Sequence, residues 1–377
     1  MPFKQQLILN RQVVRQNFAW LELFWIALLA IPILMPGRLL SLAWQPYLLL
    51  GLFLLWPLHW LAGHRHRWLD WPLAILFWWL PVPLLISIVP TTSGTAGAYL
   101  LLGMALYVAC IHHPWLQENP LRLAWCLFAI GGLLLIIAPP VVQWKGNFRL
   151  FYLPIYQWFQ ALTPGLGETI HANILASILA LLLPILFALL LQYQIKRYQR
   201  ITATLLFFIL LAILVLTQSR GAYLAMVVAL PLVMILRWPR LLYATPILLV
   251  IAAGVVVQLG VANVLDLLSS DGSLSGWAGR IDIWTQSVNA IYDFPFTGIG
   301  FGTFTTVIPL LYPLQVSIEG YPHAHNLFLQ IGVDLGVGGL VAYCAILFTL
   351  FAMLWRTLRT FPRQSYEWML AAGTLGS

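Results

Sequence analysis

His325-Asn326-Leu327-Phe328-Leu329-Gln330-Ile331-Gly332-Val333-Asp334-Leu335-Gly336-Val337-Gly338-Gly339 opens an apolar run that continues to about residue 355. A run of that length crosses the roughly 30 Å of hydrocarbon in a bilayer as a helix, and it sets the fold class. At about 100° per residue, Gly332, Gly336 and Gly339 fall in a narrow stripe, with His325 about 20° from Gly332. Glycines let membrane helices approach closely. If the helix is continuous, its most tightly packed face therefore carries a titratable imidazole at the outer end. An enzyme needing one fixed base at a membrane surface would use that arrangement; a packing stripe with an incidental interfacial histidine is the plainer alternative. Asp334 lies on the opposite side of the same helix. A carboxyl group there is costly unless it is paired or lines a cavity, so it is expected to be hydrogen-bonded and neutral, or part of an ion route.

Outward from this stretch, composition gives the same class. Of the 377 residues 61% are hydrophobic and 8% charged, and the mean hydropathy is +0.89. Soluble domains carry about 25% charged residues. The chain reads as an all-α polytopic membrane protein. About ten complete spans are expected, at about 19–36, 39–63, 72–90, 96–112, 121–142, 172–194, 201–217, 222–236, 241–260 and 325–355, with the start of an eleventh near Tyr366. The 18 Trp, many near the ends of these runs, suit an interfacial aromatic belt. Cys110, Cys126 and Cys344 all lie in apolar runs, which indicates neither a disulfide framework nor a thiolate metal site.

With a cytoplasmic N-terminus, only Arg38, Lys145, Arg149, Arg220 and Arg280 of the 19 basic residues fall outside. That asymmetry is the positive-inside pattern. The net charge of +8 is therefore topological; it is spread over short inner loops and does not form a nucleic-acid surface. Residues 1–377 are read as a single membrane domain, and the short segment after Arg363 suggests further helices beyond Ser377.

Two outer segments are long, at about 143–170 and at 261–324, and long loops in a compact domain are usually functional. In the second, Gly279-Arg280-Ile281-Asp282-Ile283-Trp284 opens an amphipathic helix. Ile281, Trp284, Val288, Ile291 and Tyr292 share one face; Asp282, Gln286, Asn289 and Asp293 share the other. Arg280 sits in its first turn, placed either to meet a phosphate at headgroup depth or to snorkel to bulk lipid. Pro295-Phe296-Thr297-Gly298-Ile299-Gly300-Phe301-Gly302 then reads as a tight turn that brings Arg280 and His325 together, and only weakly as a nucleotide loop. Arg220, in the short turn Gln218-Ser219-Arg220-Gly221-Ala222-Tyr223, lies close to hydrocarbon. An arginine costs about 2.5–3.5 kcal/mol at the bilayer centre and less at its edge, which implies an acidic or anionic partner. Glu168 and His171, beside Asn173, are reserve candidates. His323 and His325 would offer a metal two imidazoles, but no third ligand stands at suitable spacing, so neither metal nor cofactor is expected.

In order and sidedness, Ser219-Arg220-Gly221-Ala222, Gly279-Arg280 with Trp284 and the Pro295–Phe304 turn, and His325-Asn326 with Gly336 and Gly339 resemble the bacterial O-antigen ligase and O-antigen polymerase superfamily. The resemblance covers roughly residues 200–355. It implies a GT-C-like helix bundle with a long periplasmic loop, placed in the bacterial inner membrane. It also implies a metal-independent glycosyltransferase that moves a glycan from an undecaprenyl-diphosphate carrier to a glycolipid or glycan acceptor such as lipid A core. Arg220 and Arg280 match the arginines that hold the donor diphosphate, His325 matches the base, and Asn326 stands beside it. Two other readings of the proton acceptor stay open: a carboxylate such as Glu319, or no general base. Polymerisation of glycan repeats and transfer to protein hydroxyls are alternatives within the class. A transporter of the inorganic-carbon type, resting on Asp334, is the alternative outside it.

Overall fold

The computed structural model describes residues 19–33, 44–54, 68–144, 151, 153–162, 170–192, 196–246, 250, 253–254, 257–258, 260, 277–313 and 323–377. Expectations for Glu168 and Glu319 fall outside them; the span expected at 241–260 is described only in part, and its start lies in the 3-10 helix Pro239–Ala244. The helices are, in chain order, α1 Ala19–Ile33, α2 Gln45–Phe53, α3 Asp70–Trp79, α4 Pro81–Leu85, α5 Pro90–His112, α6 Pro114–Glu118, α7 Pro120–Val141 and α8 Ile155–Leu162. They continue with α9 Ala172–Leu190, α10 Arg197–Leu216, α11 Arg220–Arg237, α12 Trp277–Asp293, α13 Phe304–Leu311, α14 Leu327–Thr360 and α15 Tyr366–Gly376. Among the described residues six helices are long and apolar enough to cross a membrane: α5, α7, α9, α10, α11 and α14. Shorter apolar helices cover Ala19–Ile33 and Asp70–Leu85. This is an all-α polytopic membrane protein. Side chains such as Val227, Phe348 and Leu181 stand exposed along the spans, as helices apolar all round require when lipid is the solvent.

The chain divides into two compact units. The first holds residues 1–118 and 269–350; the second holds 119–268 and 351–377.

In the first unit, Ile26, Leu52, Phe77, Leu80, Leu101, Ala105, Leu335 and Ala342 share a core, with the Phe53 and Phe77 rings stacked 4.1 Å apart. A proline opens α5, where its missing N–H would have no partner in any case. A second, smaller core gathers Ile283 and Ala290 of α12, Phe304, Val307 and Ile308 of α13, and Ile299, Ala324 and Val333. The amphipathic helix α12 is thus built in along a stripe of Ile283, Ser287 and Ala290, while Ile281, Val288 and Tyr292 stand exposed. The apolar face expected from the sequence is thus split between core and surface. Trp284 and Ile291 pack inward, and the rest of the expected apolar face does not.

In the second unit α9 is central. Leu175, Leu179, Leu183, Leu186 and Leu189 are buried against α7, α10 and α11. Helix α15 lies close on α9, since a Cβ at Gly373 would come within 2.6 Å of the Ile185 Cα, the close approach that small residues permit. A two-residue parallel ladder, β1 Val142–Gln143 with β2 Ile170–His171, ties the segment after α7 to the start of α9.

Candidate functional site

Helix α14 is not continuous. Gly336 adopts φ 70° and ψ −175°, a region essentially restricted to glycine, so the run of helical dihedrals stops there. The single glycine face expected across Gly332, Gly336 and Gly339 is interrupted at its middle. Gly332 abuts Ile291 of α12, Gly338 abuts the Trp79 ring, and Gly339 is crowded by Leu335.

A break inside an apolar span frees backbone groups that lipid cannot satisfy. Here three of them have partners from outside the helix. The Val337 N–H donates to the Pro295 carbonyl at 2.7 Å, and the Ile299 N–H donates to the Val333 carbonyl at 2.8 Å. Trp79 Nε1–H donates to the Leu335 carbonyl at 2.8 Å. The Pro295–Gly302 turn is therefore built against the break. Gly298, Gly300 and Gly302 all have positive φ, and a Cβ at Gly298 would lie 2.6 Å from the Asp334 carbonyl. Gly298 lets backbone meet backbone, while a Cβ at Gly300 would meet Ser87 and one at Gly302 would meet Ala96.

His325 stands just before α14 with φ 51°, in the left-handed region that few non-glycine residues adopt. The preceding Ala324 is held on both sides. Its N–H donates to Gln330 Oε1 at 2.8 Å, and its carbonyl accepts from Trp284 Nε1–H at 3.0 Å. Asn326 caps α14, its Oδ1 accepting from the Phe328 and Leu329 N–H groups at 3.0 and 3.3 Å. Its role in the structure is thus to start the helix that follows the histidine.

Trp284 lies one helical turn beyond Arg280 on α12, so the Trp284–Ala324 bond draws the first turn of α12 to the histidine loop. The imidazoles of His323 and His325 are 4.2 Å apart. Partial burial, then the His323 ring, then the Arg280 guanidinium bring His325 down to about 4, and burial lowers His323 as well. His325 is therefore neutral near pH 7, with a lone pair available. Elsewhere on this unit, Tyr312 donates to Asp293 Oδ2 at 2.5 Å, joining the ends of α12 and α13. Burial first and the Asp293 carboxylate second push its phenol up to about 12.

Arg220 belongs to the second unit and is the first residue of α11. Gln218, two residues earlier, also has a left-handed backbone, φ 52°. Its side-chain amide donates to the Phe151 carbonyl at 2.8 Å and to the Tyr156 hydroxyl at 3.1 Å. Tyr156 in turn donates to the Leu216 carbonyl at 2.8 Å, and the Tyr223 hydroxyl bonds the Val215 carbonyl. The turn that presents Arg220 is thereby fixed. Ser219, at the N-cap, makes no side-chain capping bond. His171 has a structural place: Nδ1 accepts from the Asn173 N–H at 3.1 Å and caps α9. Among the described residues no three His, Cys, Asp or Glu side chains group as metal ligands.

Gln330, Trp284 as a hydrogen-bond donor and Trp79 are the site residues that sequence reasoning missed. Asp334, expected to be hydrogen-bonded or part of an ion route, is 4% exposed, and its Oδ2 accepts from Gln330 Nε2 at 2.9 Å.

The geometry defines an integral membrane protein in which a histidine and an arginine meet at the mouth of a broken helix. Residues 205–344, the segment that carries Arg220, Arg280 and His325, match the family model described as O-Antigen ligase. That match bears out the resemblance to the O-antigen ligase and polymerase superfamily and supports ligase- or polymerase-type function in general. The matched segment is less than half of the chain, and no curated protein matches it.

Proposed function

We propose that this protein transfers a glycan from an undecaprenyl-diphosphate carrier to an acceptor hydroxyl at the outer face of the bacterial inner membrane, with lipid A core or a similar glycolipid as acceptor. The observation that carries the reading is the neutral His325 imidazole held beside Arg280 by the Trp284–Ala324 hydrogen bond. A sugar joined through a diphosphate already has a good leaving group. The protein must hold that group, neutralise the charge that grows on it, and take one proton from the acceptor. Arginine suits the first two tasks through paired, charge-assisted hydrogen bonds. Arg280 takes that role here, and Arg220 is assigned the same role by the family resemblance. His325 takes the proton as general base. The acceptor oxygen forms its bond to the anomeric carbon as the carbon–diphosphate oxygen bond breaks, with inversion, and the undecaprenyl diphosphate departs with the bonding pair.

The test is glycan transfer from a purified undecaprenyl-diphosphate oligosaccharide by wild type, Arg280→Ala and His325→Ala. Lipid A core, a second donor molecule or a peptide is offered as acceptor, with EDTA present. Transfer by the wild type and its loss in both variants is expected. The productive acceptor distinguishes ligase from polymerase and from protein O-oligosaccharyltransferase. Retention at the anomeric carbon, or full activity of His325→Ala, would overturn the mechanism.

A further inference from the structure

We propose that Gln330 is a positioning residue for His325, and that Asp334 sets the orientation in which it works. The inference rests on His325 being the base. Gln330 lies in the first turn of α14, its own N–H closed onto the Asn326 carbonyl at 2.9 Å. Its side chain turns back toward the loop, so that Oε1 receives the Ala324 N–H at 2.8 Å. At the other end of the same amide, Nε2–H donates to Asp334 Oδ2 at 2.9 Å. The spacing from 330 to 334 is the i, i+4 relation that lets glutamine and aspartate side chains meet on a helix.

The amide has one orientation that satisfies both ends. The Ala324 N–H can only donate, so it needs the carbonyl oxygen, which leaves the NH2 group for the carboxyl. Ala324 is fully buried, at 0% exposure, and without Gln330 its N–H would be a buried donor with no acceptor. The carboxyl at the root of the chain is fixed in turn. Asp334 sits between the two carbonyls bonded by Ile299 and Trp79, its own carbonyl pressed by Gly298. The Gly302 backbone approaches the same carboxyl, while Oδ1 makes no full hydrogen bond among the described residues. Two hydrogen bonds, Gln330 to Asp334 and Ala324 to Gln330, therefore run from the most constrained point of the broken helix to the His323–Ala324 peptide unit, one residue ahead of His325. They hold that residue in its left-handed backbone and aim its ring. The relay also gives Asp334 a purpose other than ion passage.

The experiment uses the full chain and the transfer assay above, with kcat and the KM for donor determined separately. Gln330→Met keeps the side-chain length and removes both hydrogen bonds. We expect its kcat to fall about 10- to 100-fold with little change in donor KM, the size of effect that a slightly misplaced catalytic group produces. Asp334→Leu falls likewise. The conservative Asp334→Asn recovers most of the lost rate, because its amide oxygen can still accept from Nε2. If Gln330→Met does not fold, the two Asp334 variants decide the matter by the same contrast. A wild-type kcat in Gln330→Met alongside a dead His325→Ala overturns the relay and leaves the base in place. Loss confined to KM, or Asp334→Asn failing as fully as Asp334→Leu, also overturns it. Full activity in His325→Ala overturns the reading on which the relay stands.

Discussion

Replacing Gly336 with alanine strikes the joint on which the site is built. The backbone there, at φ 70° and ψ −175°, costs a non-glycine residue about 1–3 kcal/mol. Steric contact adds to this. A Cβ at Gly336 would lie 2.7 Å from the Pro295 carbonyl oxygen and 2.9 Å from the Gly298 nitrogen, both backbone atoms with little freedom to yield. To relieve the clash the turn must withdraw, which stretches the Val337–Pro295 bond and the neighbouring Ile299–Val333 bond, 2.7 and 2.8 Å long in the native chain. Each buried group left unmet costs about 1–3 kcal/mol. Strain with one or two orphaned groups gives an expected loss of about 2–9 kcal/mol. Thermal unfolding of purified protein in detergent would measure it, with Gly103→Ala as the control. A Cβ at Gly103, in the middle of α5, meets nothing within 4 Å, so that change should be neutral or slightly stabilising. If Gly336→Ala melts with the wild type, the break and its hydrogen bonds are not what holds α12 and the turn to α14.

Two further outcomes follow from the same geometry. Arg280 helps to lower His325, so Arg280→Gln should raise the imidazole's pKa. Titration of the His325 ring by NMR should show its midpoint, about 4 in the wild type, moved to higher pH in the variant; an unmoved midpoint, or one displaced to lower pH, refutes the coupling. Trp79→Phe removes the donor to the Leu335 carbonyl and thins the packing on Gly338. It should cost about 1–3 kcal/mol in the same melting experiment, and a neutral result would mean that the carbonyl finds another donor.

The class of fold was legible because it depends on composition and run length, which no tertiary contact can override. His325 and Arg280 were legible because a titratable ring and a guanidinium at the mouths of apolar segments are costly to place without a use. The break at Gly336 was not. Glycines at 332, 336 and 339 satisfy a helical stripe as well as they satisfy an interruption, and only the partners from residues 79, 295 and 299 separate the two. Those partners are far away in sequence. Trp79 reads as one more belt tryptophan until its N–H is seen to point into the break. Gln330 escaped notice for a related reason: one glutamine near a helix start looks like ordinary interfacial polarity. Helix α12 was found, but not which of its side chains pack inward: Ile283 is buried while the chemically identical Ile281 is exposed, and hydrophobicity alone cannot rank the two.

Among the described residues only Gln218 and His325 are non-glycine residues with positive φ. They lie in different units and have no local sequence in common. Each is nonetheless tied down by a glutamine amide: the side chain of Gln218 itself bonds the Phe151 carbonyl, and Gln330 bonds the N–H of Ala324, the residue before His325. Each also stands one or two residues from the start of a long apolar helix. Left-handed backbone at such residues persists only where surrounding bonds over-determine it, and here those bonds come from amide side chains placed for no other evident use. Glycan transfer from a diphosphate carrier asks little covalent chemistry of the protein and a great deal of positioning. Backbone strain held at the turn before Arg220 and at His325 is what the proposed transfer would leave in a structure. Replacing Gln218 should impair the presentation of Arg220, just as loss of Gln330 should impair the aim of His325.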